Sequence, residues 1–203
     1  MPRTILSAIV AKSEGLSTNP KLEVNVNIFA TDRDPAKSAQ ALDDLRLNKM
    51  ILESVQMLAV ALAEHGCPMS ELPLKKDGTP FKAKGWGSHP CTVWAKYSVE
   101  NYRWLVAHTH ELIMEKFRRT GKLHSMNRNM PRLHSGAQYM PLAGPLEFAN
   151  SSLFKDNRDV IQAYKETMIV KWTNDKRPPR WTNSDAPDWA PQFKRLGRLP
   201  LQL

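Results

Sequence analysis

Residues 31–64, TDRDPAKSAQALDDLRLNKMILESVQMLAVALAE, decide the fold class. Leu47, Ile51, Val55, Leu58 and Leu62 recur at three- and four-residue steps and form an apolar ridge. Met50, Met57 and Ala61 widen that ridge around the cylinder. The spacing predicts one long helix, buried on most sides. Asp32 or Asp34 can cap it, Pro35 suits its first position, and Gly66 suits its end. Against this apolar background Arg46, Lys49, Glu53 and Gln56 share one narrow polar face. A buried charge is costly unless paired or used, so the stripe either lines a cavity or meets a strip of solvent with a Lys49–Glu53 pair one turn apart.

Outward from this helix, Val24 to Ala30 alternates apolar and polar residues and predicts a short strand. Residues 1–22 read as an extension ending in the loop signature STNPK. Residues 66–90 form a long Pro-, Gly- and Lys-rich connection. A second helix is expected from Thr92 to Arg119, a loop over 121–145, and a third helix from Asp156 to Trp172. KRPPRWTNSDAPDWAPQF follows as a Pro/Trp-rich strap or arm. The expected fold is mainly α: a single helical domain over 23–190, a short N-terminal strand, and a tail at 191–203.

At 203 residues the chain is long enough for a real core. No apolar run reaches membrane-spanning length, and the start lacks a convincing secretory signal. Cys67 and Cys91 have no metal-motif spacing and read as reduced thiols of a cytoplasmic protein. No cofactor motif, HExxH, CxxC or Walker loop is present, and no metal is expected. The net charge of +9 favours a polyanionic partner, DNA above all. No acidic residue lies between Lys116 and Pro145, where Lys116, Arg118, Arg119, Lys122, Arg128 and Arg132 accumulate. A second basic region from Lys171 through Arg180 to Arg198 is interleaved with Trp172, Trp181, Trp189 and Phe193. These residues are candidate phosphate contacts and stacking surfaces; the alternative is that the tryptophans seal a core.

Three groups could carry chemistry. Lys49, as nucleophile or base, and Glu53, as its carboxylate partner, lie on the first helix, with Arg46 and Gln56 as substrate contacts. His89 stands at a loop-to-helix junction, followed by Trp94 and Asn101, an aromatic ring and an amide able to hold a base. That pair also fits core packing, and His89 also fits a helix start. Asn150, in FANSS, is a third candidate for orienting substrate.

Residues 27–58 (NIFATDRDPAKSAQALDDLRLNKMILESVQML), 89–105 (HPCTVWAKYSVENYRWL), 148–152 (FANSS) and 159–166 (DVIQAYKE), then Lys171-Trp172, occur in this order. Together they resemble a family of small proteins common in tailed bacteriophages, over roughly residues 26–190. Some members are described as pyrimidine-dimer DNA glycosylases. The resemblance implies removal or modification of a DNA pyrimidine flipped into a pocket. The well-studied dimer glycosylase uses an N-terminal amine. Here Pro2 precedes the resembling region, so Lys49 is the expected amine. Two other functions stay open: a non-catalytic nucleic-acid-binding protein, and an enzyme acting on free nucleotides or nucleosides.

Overall fold

The computed structural model describes residues 27–81 and 87–194. The N-terminal extension, Pro2, most of the expected strand's first half and the end of the tail lie outside the described residues. The described part is mainly α-helical, as expected, with no strand. Residues 27–30 are not paired into a sheet; they run as irregular buried chain, with Phe29 at φ 42°.

The expected first helix is two helices. α1 spans Pro35–Ala41 and α2 spans Asp44–Glu64. Asp34 caps α1, accepting from the Ala36 N–H at 2.9 Å. The break at Leu42-Asp43 has a tertiary cause. Asp43 makes no side-chain cap for α2; its Oδ1 instead accepts from Arg46 at 3.1 Å and from the Trp172 indole at 2.8 Å. The Asp44 N–H donates to the Arg180 carbonyl, and the Asp44 carboxylate accepts from Thr182 and Arg119. Side chains and backbone from the far end of the chain thus take the groups that would have continued the helix.

The second helix also divides. α3 spans Pro90–Tyr97 and α4 spans Val99–Thr120. Ser98 is extended and caps α4 by accepting from the Asn101 N–H. Gly121, at φ 67°, closes α4 in a left-handed conformation suited to glycine. The stretch expected as loop holds two short 3-10 segments and α5, Met130–Ser135. The third helix, α6, spans Val160–Asn174 and is capped by Asp159.

α4 packs against α1, α2, α3 and α5. Met50, Ile51, Leu58 and Leu62 of α2 are fully buried, as are Leu105 and Leu112 of α4. Each such side chain contributes about 1.5–3 kcal/mol, so packing outweighs any single surface ion pair. The described part of the C-terminal strap packs through its aromatic residues. Trp172 stacks on Trp189 and meets Trp181 and Phe193 edge-on, while the Trp181 indole donates to the Ala41 carbonyl. These aromatics seal the junction of α1 and α2.

His108 of α4 is wholly buried and stacked on Trp104. Its Nδ1–H donates to the Pro35 carbonyl at 3.1 Å, and its Nε2 has no partner among the described residues. Burial, only partly offset by Pro35, lowers its pKa to about 4. The unfolded chain takes up this proton below about pH 6.5, whereas the folded chain refuses it until about pH 4. The stability that His108 confers is therefore complete above pH 6.5 and declines as pH falls towards 4. The loss is expected to be about 2–3 kcal/mol. Urea midpoints should show a steeper fall over this range in wild type than in His108→Asn; parallel pH profiles would contradict it.

Candidate active site on the second helix

The polar stripe of α2 lies beside the C-terminal end of α6. Arg46 forms a two-pronged pair with Asp175, at 2.7 and 2.9 Å, and also reaches Asp43. Burial alone would lower the Arg46 pKa; hydrogen bonds and charge from Asp175 and Asp43 outweigh it and raise the value. With both faces of its guanidinium engaged, Arg46 braces α2 against α6 and has little capacity left for substrate. Asp175, absent from the candidates read from sequence, is separated from Arg46 by 129 residues. No local pattern could have paired them.

One helical turn on, Lys49 Nζ lies 3.3 Å from Glu53 Oε1. The Lys49 side chain is 41 % exposed and that of Glu53 only 11 %. Glu53 Oε2 is buried with no hydrogen-bond partner among the described residues. Burial raises the Glu53 pKa, and Lys49 partly opposes the rise. A solvated surface pair would satisfy both carboxylate oxygens with water; here one oxygen is satisfied and the other is left with an unmet demand. Gln56 continues the stripe, half-buried.

Lys171 of α6 completes the group. It is half-buried, and its pKa is lowered by burial and then by Arg46 and Lys49, against an opposing pull from Asp175. Lys49 therefore has Glu53 as its ion-pair partner, and its charge is felt at Lys171. Lys171 was expected on charge alone as a phosphate contact.

The second cluster is structural. Trp94 and Asn101 fall on different helices, α3 and α4, and both are buried. Asn101 donates to the Trp94 carbonyl at 2.9 Å and accepts from the Glu147 N–H. The Trp94 indole donates to the Glu147 carbonyl, and its ring stacks on Phe148. With their polar atoms taken, neither is available to hold a base. His89 begins α3, its Nδ1 accepting from the Cys91 N–H at 3.2 Å. Burial and then nearby Lys155 lower the His89 pKa. Asn150 organises its own loop, donating to the carbonyls of Phe154, Lys155 and Asn157 and accepting from Ser152.

The basic residues divide sharply. Arg119 is 1 % exposed and bonded on all sides, to Glu115, Asp44 and the carbonyls of Leu42 and Gln40. It cannot meet a phosphate. Arg118 pairs with Glu115 but keeps half its surface. Arg128 donates to the carbonyls of Leu74 and Lys75, and Arg132 to those of Ser70 and Leu72, so both fasten the 66–81 connection. Lys116 donates to Asn48 of α2. Together with Lys122, Thr120, Leu123, His124 and Ser125, it lines an open cleft of about 620 Å³ with no acidic side chain. Arg180 is exposed. No group of three metal-ligating side chains is gathered among the described residues, and no described helix is long and apolar enough to cross a membrane.

The family model for pyrimidine dimer DNA glycosylase matches residues 26–130, just over half of the chain. The chain belongs to the pyrimidine dimer DNA glycosylase family. The match takes in α1 to α4 and so includes Arg46, Lys49 and Glu53; it ends before α6, which brings Lys171 and Asp175. No curated protein and no solved structure matches the chain.

Proposed function

We propose that this member of the family is a phage-type DNA glycosylase acting in the host cytoplasm. It receives a pyrimidine nucleotide, turned out of the duplex, beside the polar stripe of α2 and breaks its C1′–N1 bond. The observation that carries this reading is Glu53: a mostly buried carboxylate with one oxygen on Lys49 and the other unpartnered among the described residues. As C1′–N1 lengthens, the sugar gains positive charge. A carboxylate in a low-dielectric site stabilises that charge far better than one in water. The same carboxylate can move a proton at the reacting centre. Lys49 favours the ionised form of Glu53 against the effect of burial and supplies a cation at the more exposed end of the pair. Family membership supports DNA as the substrate. The cleft at Lys116 and Lys122, with Lys171 and Arg180, supplies cations for the phosphate backbone.

A second reading, an enzyme for free nucleosides or nucleotides, is favoured by one observation. Arg46, Arg119, Arg128 and Arg132 are all engaged within the protein, which leaves a smaller basic surface than the charge of +9 implies. One experiment separates the two. Ultraviolet-irradiated duplex, plain duplex and duplex with modified pyrimidines are incubated with the protein, and released bases are read by mass spectrometry across a salt series. Base release from irradiated or modified duplex, with binding that weakens as salt rises, is expected. Salt-sensitive binding without release would make this a binding protein. Turnover of free nucleosides without DNA affinity would select the second reading.

A further inference from the structure

Up to its last turn, the exposed residues of α2 are Leu45, Asn48, Lys49 and Leu52. Helical spacing gathers them on one face. An ordinary solvent face carries charged and polar residues. This one carries two leucines, with Leu45 69 % and Leu52 40 % exposed. The face adjoins the cleft at the end of α4, because Lys116, which lines that cleft, donates to Asn48. A third leucine, Leu123, lies in the cleft lining itself and is 51 % exposed. Lys116 and Lys122 line the same cleft, with no acidic side chain among its described lining residues. Cations and uncovered leucines thus share one surface, and the two make different demands of a ligand.

An intact duplex would meet only the first demand. Its phosphates suit the cations, but its bases are stacked on one another and offer a protein only their edges in the grooves. Unpaired nucleotides meet both. Their backbone is anionic, and their free base faces can be covered by apolar side chains. We propose that this surface, from Leu45 and Leu52 on α2 to Lys122 and Leu123 in the cleft, binds single-stranded DNA in preference to duplex. Lys116 and Lys122 hold phosphates, and the three leucines cover base faces. The family match favours DNA over RNA. Binding of this kind is separate from base release, so it stands or falls independently of the glycosylase reading.

Fluorescence anisotropy tests it. The full chain is titrated into a labelled oligothymidylate of about 16 nucleotides, a blunt duplex of the same length, and the matching oligouridylate. The single DNA strand is expected to bind at least roughly tenfold more tightly than the duplex, with affinity falling as salt rises. Leu45→Ser and Leu123→Ser are each expected to weaken single-strand binding by roughly threefold or more, and duplex binding by less than roughly twofold. Lys122→Ala should weaken both and flatten the salt dependence. The preference itself is read on wild-type protein, so a misfolded variant cannot decide it. Duplex or oligouridylate bound as tightly as the single DNA strand, or no measurable single-strand binding, would overturn the proposal. So would leucine variants that keep the wild-type urea midpoint and bind the single strand as wild type does, since the strand would then lie elsewhere.

Discussion

Glu53→Gln is expected to abolish base release while leaving the fold and DNA affinity in place. The exchange preserves shape and removes the charge. A positioned acid–base group contributes about 10²–10⁴-fold in rate, or roughly 3–5 kcal/mol of barrier. Ordinary loss of a surface ion pair would cost at most about 1 kcal/mol and would not touch the rate. Stability should hold or rise slightly, because a mostly buried, half-satisfied carboxylate is replaced by a neutral amide. Single-turnover base release and a salt-dependent binding curve, run on the same preparation, would measure both. Equal losses of binding and rate, or a rate within about threefold of wild type, would remove Glu53 from the chemistry. The pH profile adds a signed check. The working form is the carboxylate, so activity is lost as pH falls through its raised pKa. Lys49→Ala removes the neighbour that holds that pKa down, and should move the acidic limb to higher pH.

Arg119→Met is expected to be the most destabilising single change in the basic stretch. The guanidinium joins the end of α4 to the end of α1 and the start of α2, through Glu115, Asp44, Leu42 and Gln40. Burial lowers its pKa and Asp44 and Asp43 oppose that fall. Removing it leaves Glu115, itself 1 % exposed, with the Arg118 contact alone among the described residues. Breaking a buried pair from one side costs about 3–5 kcal/mol, a large part of the roughly 5–15 kcal/mol that holds a domain folded. Arg119→Lys should also be poor, because an ammonium cannot reproduce the planar fork that meets two carboxylates and two carbonyls. Urea unfolding would read the loss directly. A change below about 1 kcal/mol would show that the network is worth no more than a surface pair.

These two residues mark how far sequence reading carries. Periodicity placed Glu53 on the polar face of a buried helix, and the structure finds it there with Lys49 one turn away. Charge counting put Arg119 with the exposed phosphate contacts, and the structure finds it sealed inside. The first inference needed only the pitch of a helix. The second needed to know what lies across from the side chain, and sequence composition is blind to that. Trp94 and Asn101 depart from the expected alignment for a related reason: Ser98 breaks the helix that was expected to align them, and Glu147 takes up their polar atoms.

The α class, the caps at Asp34 and Gly66, the apolar ridge of α2 and its polar stripe are fixed locally, because they follow from residues within a few turns of one another. Tertiary structure alone decided which charges are spent and which remain. Arg46 meets Asp175 across 129 residues, and Asp43 receives the Trp172 indole across as many. Those contacts split the first helix and brace α2 on α6. The physical reason is that helix periodicity is a short-range property, whereas the cost of burying a charge depends on whichever partner the folded chain brings to it.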